Sequence, residues 1–265
     1  MKSPLKFVGS KRTLCSKIVS LFPLHQCYVE PFFGGGSVFF YKKPSSTEVI
    51  NDNDQLLITF FRVIRDDLDS FLKKFEYALS SRDLFMEYRE SKWSELDDVE
   101  KAFRVYYIIK NSYGGLFRFN KEGKCNSPFS SNADRKARNS LFSGLKLVKR
   151  AHIRLQNTII ENLDYLEILK RFDRKDTLFF LDPPYDSTYA YGKTFDHDVL
   201  LEACRKVQGK FILTLNTGLK DLFSEFSIIQ VMVQDISTKP REDIIILNYE
   251  AKRRQKHLDA LLSEI

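Results

Sequence analysis

Apolar and polar positions follow one another along this chain in blocks of changing period. Leu14, Ile18, Val19 and Phe22 recur at helical spacing and predict a short helix over 13–22. Tyr28-Val29-Glu30 predicts a short strand, Pro31 to Ser37 a glycine-rich turn, and Val38-Phe39-Phe40-Tyr41 the opening of a helix. Glu48 to Asp52 predicts a second strand ending on an acid, and a further helix begins at Gln55. Residues 66–110 carry amphipathic helical patterns, whereas 111–139 are rich in Asn, Ser, Gly and basic residues, with a hairpin candidate around Asn120-Lys121-Glu122-Gly123. The alternation then returns with a strand at Ile159-Ile160, a helix from Leu163 to Arg171, and the wholly apolar Leu178-Phe179-Phe180-Leu181. Such a run suits a strand of a parallel sheet buried on both faces. Phe211 to Asn216 adds another strand, Ile228 to Val233 and Ile244 to Tyr249 a terminal antiparallel pair, and Glu250 to Ile265 a charged amphipathic helix. Strands alternating with helices predict an α/β fold: a doubly wound, mostly parallel sheet with an antiparallel C-terminal strand. One mainly helical insertion with a β-hairpin interrupts it. The expected division is 1–55 with 155–265 for the sheet domain and 56–154 for the insertion.

The residues after the apolar run, Asp182-Pro183-Pro184-Tyr185, place chemistry at the carboxyl edge of the sheet, where open α/β folds bind ligands. Two prolines fix φ and remove two backbone donors. An acceptor carboxylate, an acceptor carbonyl and a stacking ring can hold a planar group bearing an exocyclic NH2. The other use of such a sequence is a strand-terminating turn with a buried tyrosine. Upstream, Glu30-Pro31-Phe32-Phe33-Gly34-Gly35-Gly36-Ser37 puts glycines between a strand and a helix, where backbone can approach a ligand closely. The run lacks the G-x-G-x-x-G spacing of a dinucleotide loop. It suits passage over a small zwitterion such as the methionine part of S-adenosylmethionine, or a purely structural turn. Asp52 stands where an acid accepts ribose hydroxyls in Rossmann-type sites, or where it caps the helix that follows. Lys11, in Phe7-Val8-Gly9-Ser10-Lys11, is a cation at a helix start, an end that disfavours positive charge.

Composition adds a partner. The chain of 265 residues carries net charge +7, yet between Arg104 and Arg154 twelve Lys/Arg face only two acids, leaving −3 for the remainder. A basic segment on a near-neutral body suits a polyanion, although many such runs are solvated loops. Here Tyr113, Phe117, Phe119 and Phe129 interleave the charge. Within Asn111 to Asn120, Arg118 could donate two hydrogen bonds to guanine, Tyr113 could intercalate or stack, and Leu116, with the later Pro128, could touch a thymine methyl. An ordinary exposed hairpin with one surface arginine is the plainer use. Four scattered cysteines without a C-x-x-C pair argue against a disulfide framework or zinc site and for a reducing setting. No histidine spacing suits a metal, and none is expected. With no apolar run near the ~18 residues of a membrane span and no signal-peptide core, a soluble cytoplasmic protein is expected.

Taken together, these motifs resemble the Dam-like DNA adenine-N6 methyltransferases, the D12 class, alpha group, over nearly the whole chain. Phe7 and Lys11 fall on the family's cofactor motif, with Ser10 where glycine is common, and Glu30 to Ser37 on its E-P-F-x-G-G-G loop. The resemblance implies a Rossmann-like methyltransferase fold and S-adenosylmethionine as cofactor, bound by Phe7, Lys11, Glu30, Pro31, Phe32, Gly34, Gly36, Asp52 and Asp182. It implies catalysis at Asp182, Pro183, Pro184 and Tyr185 on an adenine flipped out of double-stranded DNA. Tyr113, Leu116, Arg118 and Pro128 match its recognition hairpin, and Lys6 falls where members specific for GATC place a lysine against the first guanine. GATC is therefore the implied target, read by a monomer or weak dimer in a bacterial nucleoid or phage-infected cell. The chain departs from the pattern at Gly114, where the family has Asn, and at Ser130-Ser131, where it has Gly-Arg/Lys. A methyltransferase acting on RNA adenine or a protein amide, and a catalytically silent DNA-binding module, are the competing classes.

Overall fold

The computed structural model describes residues 1–6, 10–117, 119, 125–130, 140–184, 195–233 and 241–251. Short apolar runs pair into one seven-stranded sheet of order β3-β2-β1-β4-β5-β7-β6. The strands are β1 (Cys27–Glu30), β2 (Thr47–Asn51), β3 (Thr158–Glu161), β4 (Thr177–Leu181), β5 (Lys210–Asn216), β6 (Ser227–Val233) and β7 (Arg241–Leu247). The first five run parallel, and β7 lies antiparallel between β5 and β6. β4 is buried along its whole length, which is why its sequence shows no alternation.

Successive residues of each strand feed two different cores. Tyr28, Ile50, Leu178, Phe180 and Ile212 point to one face. Val29, Val49, Phe179, Leu181 and Leu213 point to the other, where they meet Ile168 and Leu169 of a helix over Tyr165–Phe172 and Leu200, Leu201 and Cys204 of a helix over His197–Lys206. The first face carries α1 (Cys15–Ser20), α2 (Ser37–Tyr41) and α3 (Gln55–Asp66). α3 buries Leu57, Ile58, Phe60, Phe61 and Ile64 and is capped by Asp54, whose carboxylate accepts from Leu56 and Leu57 N–H at 3.0 and 3.1 Å. It packs in turn on the long helix α6 (Asp98–Asn111), with α4 (Leu68–Lys73) and α5 (Arg82–Arg89) between them in sequence. A chain of aromatic contacts, Phe61 to Phe60 to Tyr106 to Phe75 to Phe103, carries the sheet's core through to α6 without a break.

Two of the longer helices were not expected from the pattern. The one over Leu145–Leu155 lies in the basic stretch, and the one over His197–Lys206 buries only a narrow stripe. The expected tail helix and the hairpin tip at Asn120 to Gly123 fall almost wholly outside the described residues, although an antiparallel bridge joins Phe119 to Cys125 across that tip. Among the described residues, no helix is long and apolar enough to cross a membrane and no His, Cys, Asp and Glu group could hold a metal ion.

Some of the positive charge between Arg104 and Arg154 is structural. Arg104 pairs with Glu100, and burial pushes Lys110 down to about 8. Arg154 reaches Glu48 at the start of β2, one guanidinium contact measuring 2.8 Å, while its plane lies 3.8 Å from the Phe39 ring centre. Lys42 also bonds Glu48 and sits 4.2 Å from the Tyr28 ring centre. Burial opposes the Glu48 charge, but hydrogen bonds from Arg154 and Lys42 outweigh it and hold the carboxyl below its ordinary range. Removing one partner of a buried ion cluster leaves uncompensated charge. Glu48→Gln should therefore lower unfolding free energy by about 3–5 kcal/mol, measured by urea denaturation.

Candidate active site

β1 is flanked by β2 on one side and β4 on the other, so the chain leaves the sheet in opposite directions on either side of a gap between β1 and β4. In open α/β sheets that gap is the binding crevice. The glycine loop closes one wall. Gly34 and Gly36 adopt φ of 49° and 65°, and a Cβ on Gly36 would collide with the Phe33 ring. Side chains with a Cβ resist this left-handed region. The loop is tied to the end of β2, with Gly34 N–H donating to Asp52 Oδ2 at 2.7 Å and Phe33 N–H to Asn51 O at 2.8 Å.

Asp52 is not the helix cap, since Asp54 holds that position. Its other oxygen accepts Asp54 N–H at 2.9 Å, and burial, with the Asp54 charge, pushes its pKa up to about 7. Asn51, which the sequence did not single out, donates to the Pro31 carbonyl at 2.9 Å and clasps both backbone groups of Leu163. Asn162 donates to Asp52 O at 2.7 Å. The turns after β1, β2 and β3 are thus locked together.

The opposite wall is the Asp182-Pro183-Pro184 turn after β4. Lys11 Nζ lies 2.6 Å from Asp182 Oδ1, and the Thr214 hydroxyl of β5 donates to the same oxygen at 2.8 Å. Lys11 is only 5% exposed, so the cation that looked misplaced at a helix start is an internal partner of the acid. Ser10 and Ser37 share a 2.7 Å hydrogen bond, and the Ser3 hydroxyl donates to Gly35 O, which straps the N-terminal segment across the glycine loop. His197 Nε2 stands 3.2 Å from Pro184 O, and its ring meets Phe195 at 5.1 Å. Phe195 contacts Phe32 and Tyr165, which also touch each other at 5.0 Å. Thr214, Tyr165, Phe195 and His197 had no sequence motif. The only trace of Thr214 was one hydroxyl in an apolar strand.

A second cluster forms beside this one. A Cβ at Gly115 would strike the Lys6 carbonyl, so the turn Tyr113–Gly115 lies directly against the N-terminal segment. Tyr113 N–H donates to Pro128 O at 2.9 Å, and Ser112 bridges Phe129. Lys6 and Pro128 are exposed, Leu116 is half-buried, and Tyr113 is 61% exposed. Phe7, Arg118 and Tyr185 lie outside the described residues.

Glu30, at the end of β1, is buried and accepts the Tyr28 hydroxyl at 2.8 Å. Burial raises its pKa from 4.5 to about 8, the nearby Asp182 charge adding to the rise over the opposing Tyr28 bond. Between those values the folded chain retains a proton that the unfolded chain releases. Stability contributed by this group therefore falls as pH rises from about 4.5 to about 8 and is level above. Glu30→Gln removes that loss. Thermal unfolding without cofactor should show the variant's Tm advantage over wild type growing from pH 5 to pH 8.

Residues 7–235 match the family model of the D12 class N6 adenine-specific DNA methyltransferase. The chain is 26% identical over 274 residues to the type II methyltransferase M1.LlaDCHI of Lactococcus lactis subsp. cremoris, covering 92% of this chain and 94% of that protein. It is 28% identical over 191 residues to the DNA adenine methylase of Escherichia coli strain K12, covering 68% and 64% respectively. Among solved structures, an rRNA methylase from Streptococcus thermophilus aligns over 89% of this chain and 94% of its own at 9% identity, with a TM-score of 0.35. The family match spans the glycine loop, the Tyr113 turn and Asp182, and the chain belongs to the D12 class N6 adenine-specific DNA methyltransferases.

Proposed function

We propose that this enzyme methylates N6 of an adenine swung out of double-stranded DNA, within the sequence GATC. The observation that carries this is the N-terminal segment, which touches both clusters: Lys6 abuts the Tyr113 turn and Lys11 pairs with Asp182. Five residues of chain span at most about 18 Å, roughly half a turn of duplex. A base displaced from a site gripped at Tyr113 is within reach of Asp182.

The crevice suits S-adenosylmethionine. The left-handed glycine turn keeps Cβ atoms out of one wall, and buried Asp52 offers acceptor oxygens for ribose hydroxyls. Phe7, Lys11, Glu30, Pro31, Phe32, Gly34, Gly36, Asp52 and Asp182 would hold it. When bound, it supplies an electrophilic methyl group on a sulfonium.

The target nitrogen is a weak nucleophile because its lone pair is delocalised into the purine. Asp182 Oδ2 and the Pro183 carbonyl accept its two N–H groups, draw it toward tetrahedral geometry and free the lone pair for in-line attack. Asp182 acts by hydrogen bonding and by stabilising the positive charge that develops on N6 as the N–CH3 bond forms and the S–CH3 bond breaks; the sulfur would leave as a neutral thioether, and the surplus N6 proton would pass to water. Tyr185 stacks on the displaced base, an interaction worth roughly 1–3 kcal/mol that offsets part of the cost of unstacking it. Residues 56–154 serve as the target-recognition insert on the catalytic body of 1–55 and 155–265. Its cations give binding that weakens steeply with salt, while Lys6, Tyr113, Leu116, Arg118 and Pro128 face the bases.

Transfer of labelled methyl groups to a GATC duplex, against scrambled duplexes, RNA and protein, tests the assignment, and absence of transfer to any DNA adenine would overturn it. Asp182→Ala should abolish turnover while DNA binding, followed by fluorescence anisotropy, stays within a few-fold. Arg118→Ala should cost about 1–3 kcal/mol of discrimination at one guanine, measured as the ratio of kcat/KM for GATC and the singly substituted site.

A further inference from the structure

The two contacts made to the Asp182 carboxylate fall on one oxygen. Lys11 Nζ reaches Oδ1 at 2.6 Å and Thr214 Oγ1 reaches Oδ1 at 2.8 Å. Among the described residues, none bonds Oδ2. A carboxylate has about four lone-pair sites shared between two oxygens, and the torsion that exchanges them is soft. An ammonium on a flexible stem is nearly a point charge and does not choose between the two.

Thr214 does choose. It is fully buried in β5, one residue beyond the Leu181–Leu213 pair that places it beside Asp182. Its branched Cβ makes χ1 stiff, and neighbours on both sides in the strand, Leu213 and Leu215, are buried. A hydroxyl donates one proton. The alternative acceptor, Leu181 O, lies at 3.4 Å, against 2.8 Å for Oδ1.

We propose that Thr214 is a positioning residue of the methyl transfer: it pins Oδ1 of Asp182 against β5 and so presents Oδ2, with its lone pairs unspent, to the amine of the target base. The inference rests on Asp182 being the group that receives that amine. The Lys11 contact neutralises the carboxylate, and the Thr214 contact sets its rotation, so the two donors have separable effects. Loss of the hydroxyl leaves the charge in place and lets the carboxylate rotate, which lowers the population correctly aimed while the glycine loop and Asp52 stay as they are.

Single-turnover methylation, with enzyme in excess over a GATC duplex, reads the chemical step apart from product release. Thr214→Val keeps the volume and removes the donor, Thr214→Ala removes donor and methyl, and Thr214→Ser keeps the donor. The expected result is a rate about 10- to 100-fold lower for Val and for Ala, the equivalent of one hydrogen bond to a charged group. Ser should stay within about threefold of wild type, with Kd for DNA unchanged throughout and the loss in Val and Ala falling on the single-turnover rate rather than on KM for S-adenosylmethionine. A purely structural role would lower Tm and scale with lost volume, so Ala alone would suffer. A wild-type rate in Thr214→Val, or a rate in Thr214→Ser as low as in Thr214→Val, overturns the proposal. Asp182→Ala is run alongside. If it retains turnover, the assignment of Asp182 fails and the role of Thr214 with it. If it is inactive while Thr214→Val is not, only the inference about Thr214 fails.

Discussion

A cation held under an acid at the carboxyl edge of the sheet organises this molecule. Glu30, Asp52, Asp54 and Asp182 all stand where parallel strands end, and burial drives Glu30 and Asp52 toward their protonated forms. Carboxylates this concentrated repel one another and lose hydration together. Lys11 enters from outside the sheet and pairs with Asp182 at 2.6 Å. To bring it there the N-terminal segment must cross the glycine loop, and it is strapped in place by Ser3 and Ser10. The strap in turn carries Lys6 onto the Tyr113 turn. That ion pair and the Ser3 and Ser10 bonds together hold a segment that touches both the Asp182 edge and the exposed Tyr113 turn.

The strands were legible in the chain for a physical reason. β1, β2, β4 and β5 are buried on both faces, so consecutive apolar residues rather than an alternation mark their centres. The glycine loop, Asp52 and Asp182 were legible because unusual backbone and an acid at a strand end leave local marks. What escaped depends on distant partners. Asn51 finds Leu163 across 112 positions, and Arg154 finds Glu48 across 106. Nothing in the neighbourhood of either residue announces its partner. The basic stretch looked more outward-facing than it is for the same reason, since Arg104 and Arg154 are committed to internal acids. The helix over His197–Lys206 escaped because its buried stripe is only Leu200, Leu201 and Cys204, too narrow to outweigh its charged residues.

Burial also explains which polar groups are shared between neighbours. The turns after β1, β2 and β3 are short and lie where no ladder can satisfy their backbone groups. Asn51 and Asn162 supply the missing donors and acceptors from side chains. The crevice walls are consequently fixed by hydrogen bonds between loops rather than by regular structure, and their geometry is set before anything binds.

The hydrophobic core that runs from the sheet through α3 into α6 has an evolutionary consequence. Insertions that fold around a core of their own can be traded between relatives as cassettes. Here Ile58, Phe60 and Phe61 of α3 seal one face of the sheet. Exchanging the whole stretch that follows β2 would strip that face. The exposed turn at Tyr113 and Gly114 carries no such burden: a Cβ at position 114 meets no neighbour within 4 Å, and only the left-handed φ of 66° resists it.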